Sequence, residues 1–127
     1  MQEKYLFEYA VIRIVPRVER EEFINTGVVL YCAKQKFLQM QFVLNSARIT
    51  ALSTELSIED IREYLCAFQR ICKGEKAGGE IAKLPIAERF RWLTATRSTV
   101  VQTSKVHPGF CDDAGEMLER LYSQLVL

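Results

Sequence analysis

Residues 5–15 read YLFEYAVIRIV, and Pro16 follows them. Aromatic and β-branched residues dominate this run, which is typical of a β-strand, and the proline ends it because proline has no backbone N–H to donate. Alternation places apolar side chains on both faces: Ala10, Ile12 and Ile14 on one, Tyr9, Val11 and Val15 on the other. We therefore predict a central strand that is covered on both sides.

Further strands are predicted downstream of this one. Residues 23–33 and 37–44 are rich in apolar and β-branched side chains, and the link Lys34-Gln35-Lys36 between them is short enough for a hairpin. A weaker β-rich pattern over residues 98–106 predicts a fourth strand.

Three helices are predicted in the second half of the chain. The clearest spans Ile58 to Lys73, where apolar residues recur at helical spacing between a capping Ser57 and a terminating Gly74. Pro85 begins a shorter helix, and Asp113 caps a last one from about Ala114. Because strands and helices are segregated, we predict an α+β fold, a small antiparallel sheet of three to four strands packed by about three helices.

Size and composition restrict the class of protein. With 127 residues the chain fits a single domain, residues 1–127. Seventeen basic against sixteen acidic side chains give a net charge of +1, which argues against bulk electrostatic capture of nucleic acid or anionic membrane. The apolar runs are only strand-length, so no membrane span is expected. Four cysteines without a C-x-x-C pair, and no secretory signal, favour reduced, buried thiols in the cytoplasm.

The common catalytic motifs are missing from the sequence. There is no G-x-S-x-G, no phosphate-binding G-x-x-x-x-G-K-[ST] and no H-E-x-x-H. His107 is the only histidine, and Val106-His107-Pro108-Gly109 is typical of a turn. We interpret His107 either as a turn residue or as an imidazole that contacts a ligand. We expect no cofactor and no metal site, and the missing motifs favour a protein that is not an enzyme without deciding the question.

The polar segment from Arg13 to Gly27 is the most unusual part of the sequence. Arg13 stands near the end of a strand that looks buried, where an unpaired charge would cost several kcal/mol. Glu21, Glu22 and Asn25 are candidate partners. One interpretation is a salt-bridge network that braces the first two strands, with Gly27 at a bulge. The other is a pocket in which Arg13 and Arg17 bind a phosphate or carboxylate.

A second basic segment lies between Pro85 and His107. Arg89 and Arg91 are interpreted as part of a solvated helix face, whereas Arg97-Ser98-Thr99 offers one cation and two hydroxyls in a row. The candidate binding residues are therefore Arg13, Arg17, Glu21, Asn25, Arg97, Ser98, Thr99 and His107.

A family resemblance rests on several of these segments. Arg13-Ile14-Val15-Pro16, the acidic stretch after it and Asn25-Thr26-Gly27-Val28 resemble the opening of a bacterial family, the domain of unknown function 3037. Residues 89–93 and 97–102 are similar to its second block, and residues 107–109 and 112–113 to its tail. The family has no established activity. The resemblance implies a protein partner, a kinase resembling the persistence kinase HipA, and again singles out Arg13, Arg17, Glu21, Asn25 and Arg97.

Three functions remain open on the sequence. The first is a non-enzymatic accessory or interaction module that binds a partner protein. The second is a nucleic-acid or nucleotide-phosphate binder that uses Arg13, Arg17, Arg97 and Lys105. The third is an enzyme with an unrecognised site, such as a nuclease that uses Asp112, Asp113 and His107.

Overall fold

The fold is a five-stranded antiparallel sheet between two helical layers. The structure, a computed structural model, describes residues 5–97 and 99–127. The strands are β1 (Tyr5–Ile14), β2 (Ile24–Cys32), β3 (Phe37–Phe42), β4 (Val101–Thr103) and β5 (His107–Cys111). The helices are α1 (Ser46–Leu52), α2 (Ile58–Lys73), α3 (Ile86–Leu93) and α4 (Ala114–Leu125). The predicted α+β class with a small antiparallel sheet is confirmed.

Strand β1 lies in the middle of the sheet, as its two apolar faces predict. The order is β3-β2-β1, and both β4 and β5 pair with the other side of β1. Ala10, Ile12 and Ile14 pack in one core with residues of α1, α2 and α3. Tyr5, Phe7 and Tyr9 pack in a second core with α4 on the opposite face. The sheet is thus covered on both sides, which explains why β1 is apolar at alternate and intervening positions alike.

The strand predicted over residues 98–106 is shorter in the structure, and a further strand follows it. Strand β4 covers Val101–Thr103 and pairs with Ile12–Ile14, whereas β5 covers His107–Cys111 and pairs with Tyr5–Tyr9. Ser104 joins them, because its Oγ accepts a hydrogen bond from the Val11 N–H at 2.9 Å and its own N–H donates to the Val11 carbonyl at 2.8 Å. The two short strands therefore act as one interrupted neighbour of β1.

The expectation that His107-Pro108-Gly109 forms a turn is wrong, since these residues begin β5. A strand at the sheet edge tolerates proline, because one row of its backbone groups needs no partner. Gly109 is required by a close approach: a Cβ there would lie 2.6 Å from the Phe7 ring. The turn-like sequence reflects the packing of a neighbouring strand and not a change of chain direction.

Local capping explains the helix ends. Ser57 Oγ accepts from the Asp60 N–H at 3.2 Å at the start of α2, and Gly74 ends it in the left-handed region with φ of 72°. Asp113 accepts from the Gly115 N–H at 2.8 Å at the start of α4. Helix α1 was not predicted as a separate element, because its seven residues bury only Ile49 and carry no readable period.

The turn between β2 and β3 is tied to the start of α4. The Gln35 side chain donates to the Asp112 carbonyl at 2.9 Å and accepts from the Ala114 N–H at 2.9 Å. Lys36 follows in the left-handed region, with φ of 51°. The direction of this turn is therefore held by a contact between distant parts of the chain.

Candidate functional site

Arg13 and Asn25 face each other across β1 and β2. They are paired in the register next to a bulge, since Ile12 pairs with Gly27 and Arg13 with Asn25, so the bulge predicted at Gly27 is present beside it. The Arg13 guanidinium lies 4.1 Å from the centroid of the Phe23 ring, and its Nε is buried without a hydrogen-bond partner. The Asn25 side chain donates to the Leu125 carbonyl at 3.0 Å, and its Oδ1 has no partner. Arg13 is thus held by an aromatic ring.

The salt-bridge network expected around Arg13 is not formed within residues 5–97 and 99–127. Glu21 is exposed in the left-handed region with φ of 56°, and Glu22 pairs with Arg20 at 2.5 Å. The short 3-10 helix Val18–Arg20 lies in the connection between β1 and β2, and Glu21 and Glu22 directly follow it on the surface. The carboxylates are close to Arg13 in sequence, but the turn directs them to the surface.

Arg17 lines a cavity of about 370 Å³ between the β1–β2 connection and the loop after α1. Its guanidinium lies 3.4 Å from the Glu55 carboxylate, and both side chains are exposed. Arg20 and Glu22, a second ion pair, line the same cavity. Each arginine is answered by a glutamate, so this cavity has little excess positive charge with which to attract an anion.

The Arg97 side chain caps the C-terminal end of α3. Its Nη1 donates to the Leu93 carbonyl at 2.9 Å and its Nη2 to the Trp92 carbonyl at 2.6 Å, and the guanidinium lies 4.5 Å from the Trp92 ring centroid. Burial lowers the pKa of Arg97, and the nearby Tyr64 acts in the opposite direction without cancelling this effect. Cations are favoured at a helix C-terminus, so these contacts give Arg97 a structural role.

The remaining candidate residues lie apart from Arg13. Thr99 Oγ1 donates to the Val101 carbonyl at 2.7 Å, and Ser98 lies outside the described residues. His107 is exposed on β5, with its ring 5.3 Å from that of Tyr9. Of the predicted set, the structure brings together Arg13 and Asn25, and it places Arg17, Arg97, Thr99 and His107 in other surroundings.

A basic cleft that the sequence did not reveal lies beside β3. It has a volume of about 540 Å³, and its cations are Lys36, Lys73 and Arg89. The rest of its lining is amide, apolar or thiol: Gln39, Gln41, Gln69, Leu38, Met40, Ile86 and Cys72. Sequence reasoning missed it because the three cations come from a turn and two helices, and because Arg89 was interpreted as part of a solvated face.

Burial affects one group in the basic cleft strongly. Burial raises the pKa of the Cys72 thiol to about 12, although the nearby Arg89 and Lys73 act to lower it. The thiol is therefore protonated at neutral pH. A protonated thiol is a poor nucleophile, so Cys72 contributes packing to the cleft.

An apolar strip lies at the opposite edge of the sheet. Leu6 on β1 and Phe110 on β5 are directly paired in register, and 49% and 58% of their surfaces are exposed. Pro108 and Val106 are exposed at alternate positions before Phe110. We define the apolar strip as Leu6, Val106, Pro108 and Phe110.

The described residues offer neither a metal site nor a membrane-spanning helix. Among residues 5–97 and 99–127, no group of three or more His, Cys, Asp or Glu side chains is placed to hold a metal ion; Asp113 is engaged as the cap of α4. No helix in this part of the chain has the length and apolar character needed to cross a bilayer.

Comparison with known proteins places the chain by family alone. No curated protein and no solved structure matches it. The model of one family, described as protein of unknown function (DUF3037), matches residues 9–126, which is nearly the whole chain. The chain therefore belongs to the DUF3037 family.

Proposed function

We propose that this protein is a non-enzymatic interaction module that binds a partner protein through the apolar strip. The observation that carries the proposal is the pair Leu6 and Phe110, which lie side by side on the sheet with about half of each side chain in water. Directly opposed side chains on an antiparallel pair pack against each other, so they present one continuous apolar surface.

The position of the apolar strip supports this role. Leu6 has the same parity on β1 as Ala10, Ile12 and Ile14, which are fully buried under the helices. Glu8, between Ala10 and Leu6 on this face, is half-buried and is paired with Pro108, so the helical layer ends before Leu6 and the face continues into solvent beside one carboxylate. Burying such side chains in an interface contributes roughly 25 cal/mol per Å² of apolar area, and aromatic residues such as Phe110 are enriched in interface cores.

The family resemblance indicates which partner to test first. It implies a kinase of the HipA type, and we propose such a kinase as the partner. We also place the protein in the bacterial cytoplasm, where the free thiols of Cys32, Cys66 and Cys72 stay reduced.

The test is a binding titration of the purified chain against a HipA-like kinase from the same organism, by biolayer interferometry. We expect the double variant Leu6→Asp with Phe110→Asp to bind at least about tenfold more weakly than the wild type, because loss of an interface anchor typically costs about 2 kcal/mol or more. The control is Leu127→Asp, because Leu127 is also an exposed leucine but lies outside the apolar strip.

Two results would contradict the proposal. One is equal affinity of the wild type and the double variant, with both folded by circular dichroism. The other is a dimer of the chain itself that the double variant dissolves, measured by light scattering, because the apolar strip would then serve self-association.

A further inference from the structure

We propose that the basic cleft beside β3 is a second docking site, which accepts an extended acidic peptide segment as an added strand. This goes beyond the proposed function, because the basic cleft lies at the opposite edge of the sheet from the apolar strip. Three features carry it: the sign of the charge, the position of the Arg89 guanidinium, and the unpaired edge of β3.

The charge in the basic cleft has one sign. Lys36, Lys73 and Arg89 line it, and its described lining includes no carboxylate. None of the three takes part in an ion pair among residues 5–97 and 99–127. This contrasts with the cavity at Arg17, where each arginine has its own glutamate. A cleft lined by one sign of charge concentrates ligands of the opposite sign.

One of the three cations, Arg89, is positioned by the fold around it. Arg89 reaches over the end of α2, with Nη1 3.5 Å from the Ala82 carbonyl and a buried Nε that has no hydrogen-bond partner. Gly74 leaves room for it, since a Cβ there would lie 2.1 Å from Arg89 Nη1. Lys36 projects from the turn that Gln35 ties to α4. Ordered donors lose less entropy on binding, which favours affinity.

The edge of β3 selects a peptide over a small anion. β3 is the outermost strand, so within the described residues its outer backbone groups pair with no other strand. Four consecutive residues of β3, Leu38 to Gln41, line the basic cleft, which therefore follows the strand edge. An unpaired edge is a template for an added strand, and peptide recognition by strand addition uses backbone hydrogen bonds for affinity and side-chain pockets for specificity. A lone phosphate would use only the cations.

The probe is a capped, fluorescein-labelled hexapeptide of alternating glutamate and valine, titrated with the whole chain by fluorescence anisotropy. We expect it to bind at least about tenfold more tightly than the matching lysine–valine peptide, and more weakly as salt is raised, because screening reduces attraction between exposed charges. N-methylation of alternate backbone nitrogens should weaken binding about tenfold, since it removes the strand hydrogen bonds.

The variants are Lys36→Glu and Lys73→Glu, with Lys34→Glu as the matched control. Lys34 lies in the same turn as Lys36 and gives the same change in net charge, but it does not line the basic cleft. Each cleft variant should weaken the acidic peptide about tenfold, whereas the control should change it less than about twofold. Equal losses in all three variants would overturn the proposal.

A competition experiment distinguishes a site for small anions from a site for an extended peptide. If inorganic phosphate or ADP displaces the peptide and N-methylation has no effect, the basic cleft binds small anions and the strand-addition proposal fails. Failure to bind any acidic peptide also overturns it. Neither result touches the proposed function, because that titration uses a different surface and different variants.

Discussion

At the scale of single residues, Gly74 meets two demands. It ends α2 with φ of 72°, and it leaves the space that Arg89 Nη1 occupies. We expect Gly74→Ala to lower the free energy of unfolding by about 1–2 kcal/mol through the left-handed backbone alone, and to displace Arg89 from the basic cleft. Urea denaturation measures the first effect. A variant as stable as the wild type would contradict the geometry at this helix end.

The stability of an Arg13 variant distinguishes an aromatic contact of this residue from a buried ion pair. Its guanidinium lies over the Phe23 ring and makes no ion pair among the described residues. We expect Arg13→Met to lower stability by about 1 kcal/mol, the size of a partly exposed cation–π contact. Breaking a buried ion pair would instead cost about 3–5 kcal/mol, and a loss of that size in urea denaturation would show that a carboxylate holds Arg13.

Cys72 gives a pH dependence with a defined sign. Its folded pKa, raised by burial to about 12, lies above the ordinary value of 9.0. The folded state therefore holds this proton more tightly, so its contribution is complete below pH 9.0 and is lost as pH rises toward 12. We expect the stability difference between the wild type and Cys72→Ala to shrink over that range, measured by urea denaturation. A difference independent of pH would mean that the thiol is solvated.

The contacts of single side chains could be predicted from the sequence only where the partner lies within a few residues along the chain. Ser57 and Asp113 were predicted as caps, since a cap bonds backbone only two or three residues away. The partners of Arg13 could not be predicted in the same way. The Phe23 ring lies against its guanidinium and Asn25 is paired with it in register beside a bulge, whereas Glu21 is exposed and makes no ion pair with it among the described residues. Sequence proximity therefore identified Arg13 as unusual and Asn25 as its neighbour, but it did not identify Phe23, and the expected ion pairs with Glu21 and Glu22 are not formed among the described residues.

At the scale of elements, the turn between β2 and β3 depends on one glutamine. Gln35 makes hydrogen bonds of 2.9 Å with both the Asp112 carbonyl and the Ala114 N–H. We expect Gln35→Ala to lower the free energy of unfolding by roughly 1–2 kcal/mol, because the partly buried Ala114 N–H and the exposed Asp112 carbonyl both lose their partner. Lys34→Ala in the same turn is the control and should change stability little. Identical unfolding curves for the two variants would refute the tie to α4.

The types of the main elements could be predicted from the periodicity of their apolar residues, but the pairing of the strands could not. The two apolar faces of β1 and the apolar stripe of α2 are properties of contiguous residues, and both elements were predicted. Strand β5 was missed because its Pro108 and Gly109 make sense only beside β1, where the Phe7 ring occupies the space of an absent Cβ. The basic cleft was missed for the same reason, since Lys36, Lys73 and Arg89 meet only through tertiary packing.

At the scale of the whole molecule, a net charge of +1 is the sum of surfaces with different chemistry. The sheet is covered by helices on both faces, and its two edges differ in chemistry. The β3 edge carries the basic cleft, and the β5 edge carries the apolar strip. The near-neutral total argued against bulk electrostatic capture of nucleic acid, but it could not reveal either local surface.

The central claim is that the apolar strip receives a partner protein, and hydrogen–deuterium exchange tests it most directly. The chain is labelled alone and in the presence of a HipA-like kinase from the same organism. We predict slower exchange in peptides that cover residues 5–9 and 106–111. Exchange in peptides that cover α4 should be unchanged. A complex that leaves both of these segments unprotected and slows exchange on α4 instead would contradict the account.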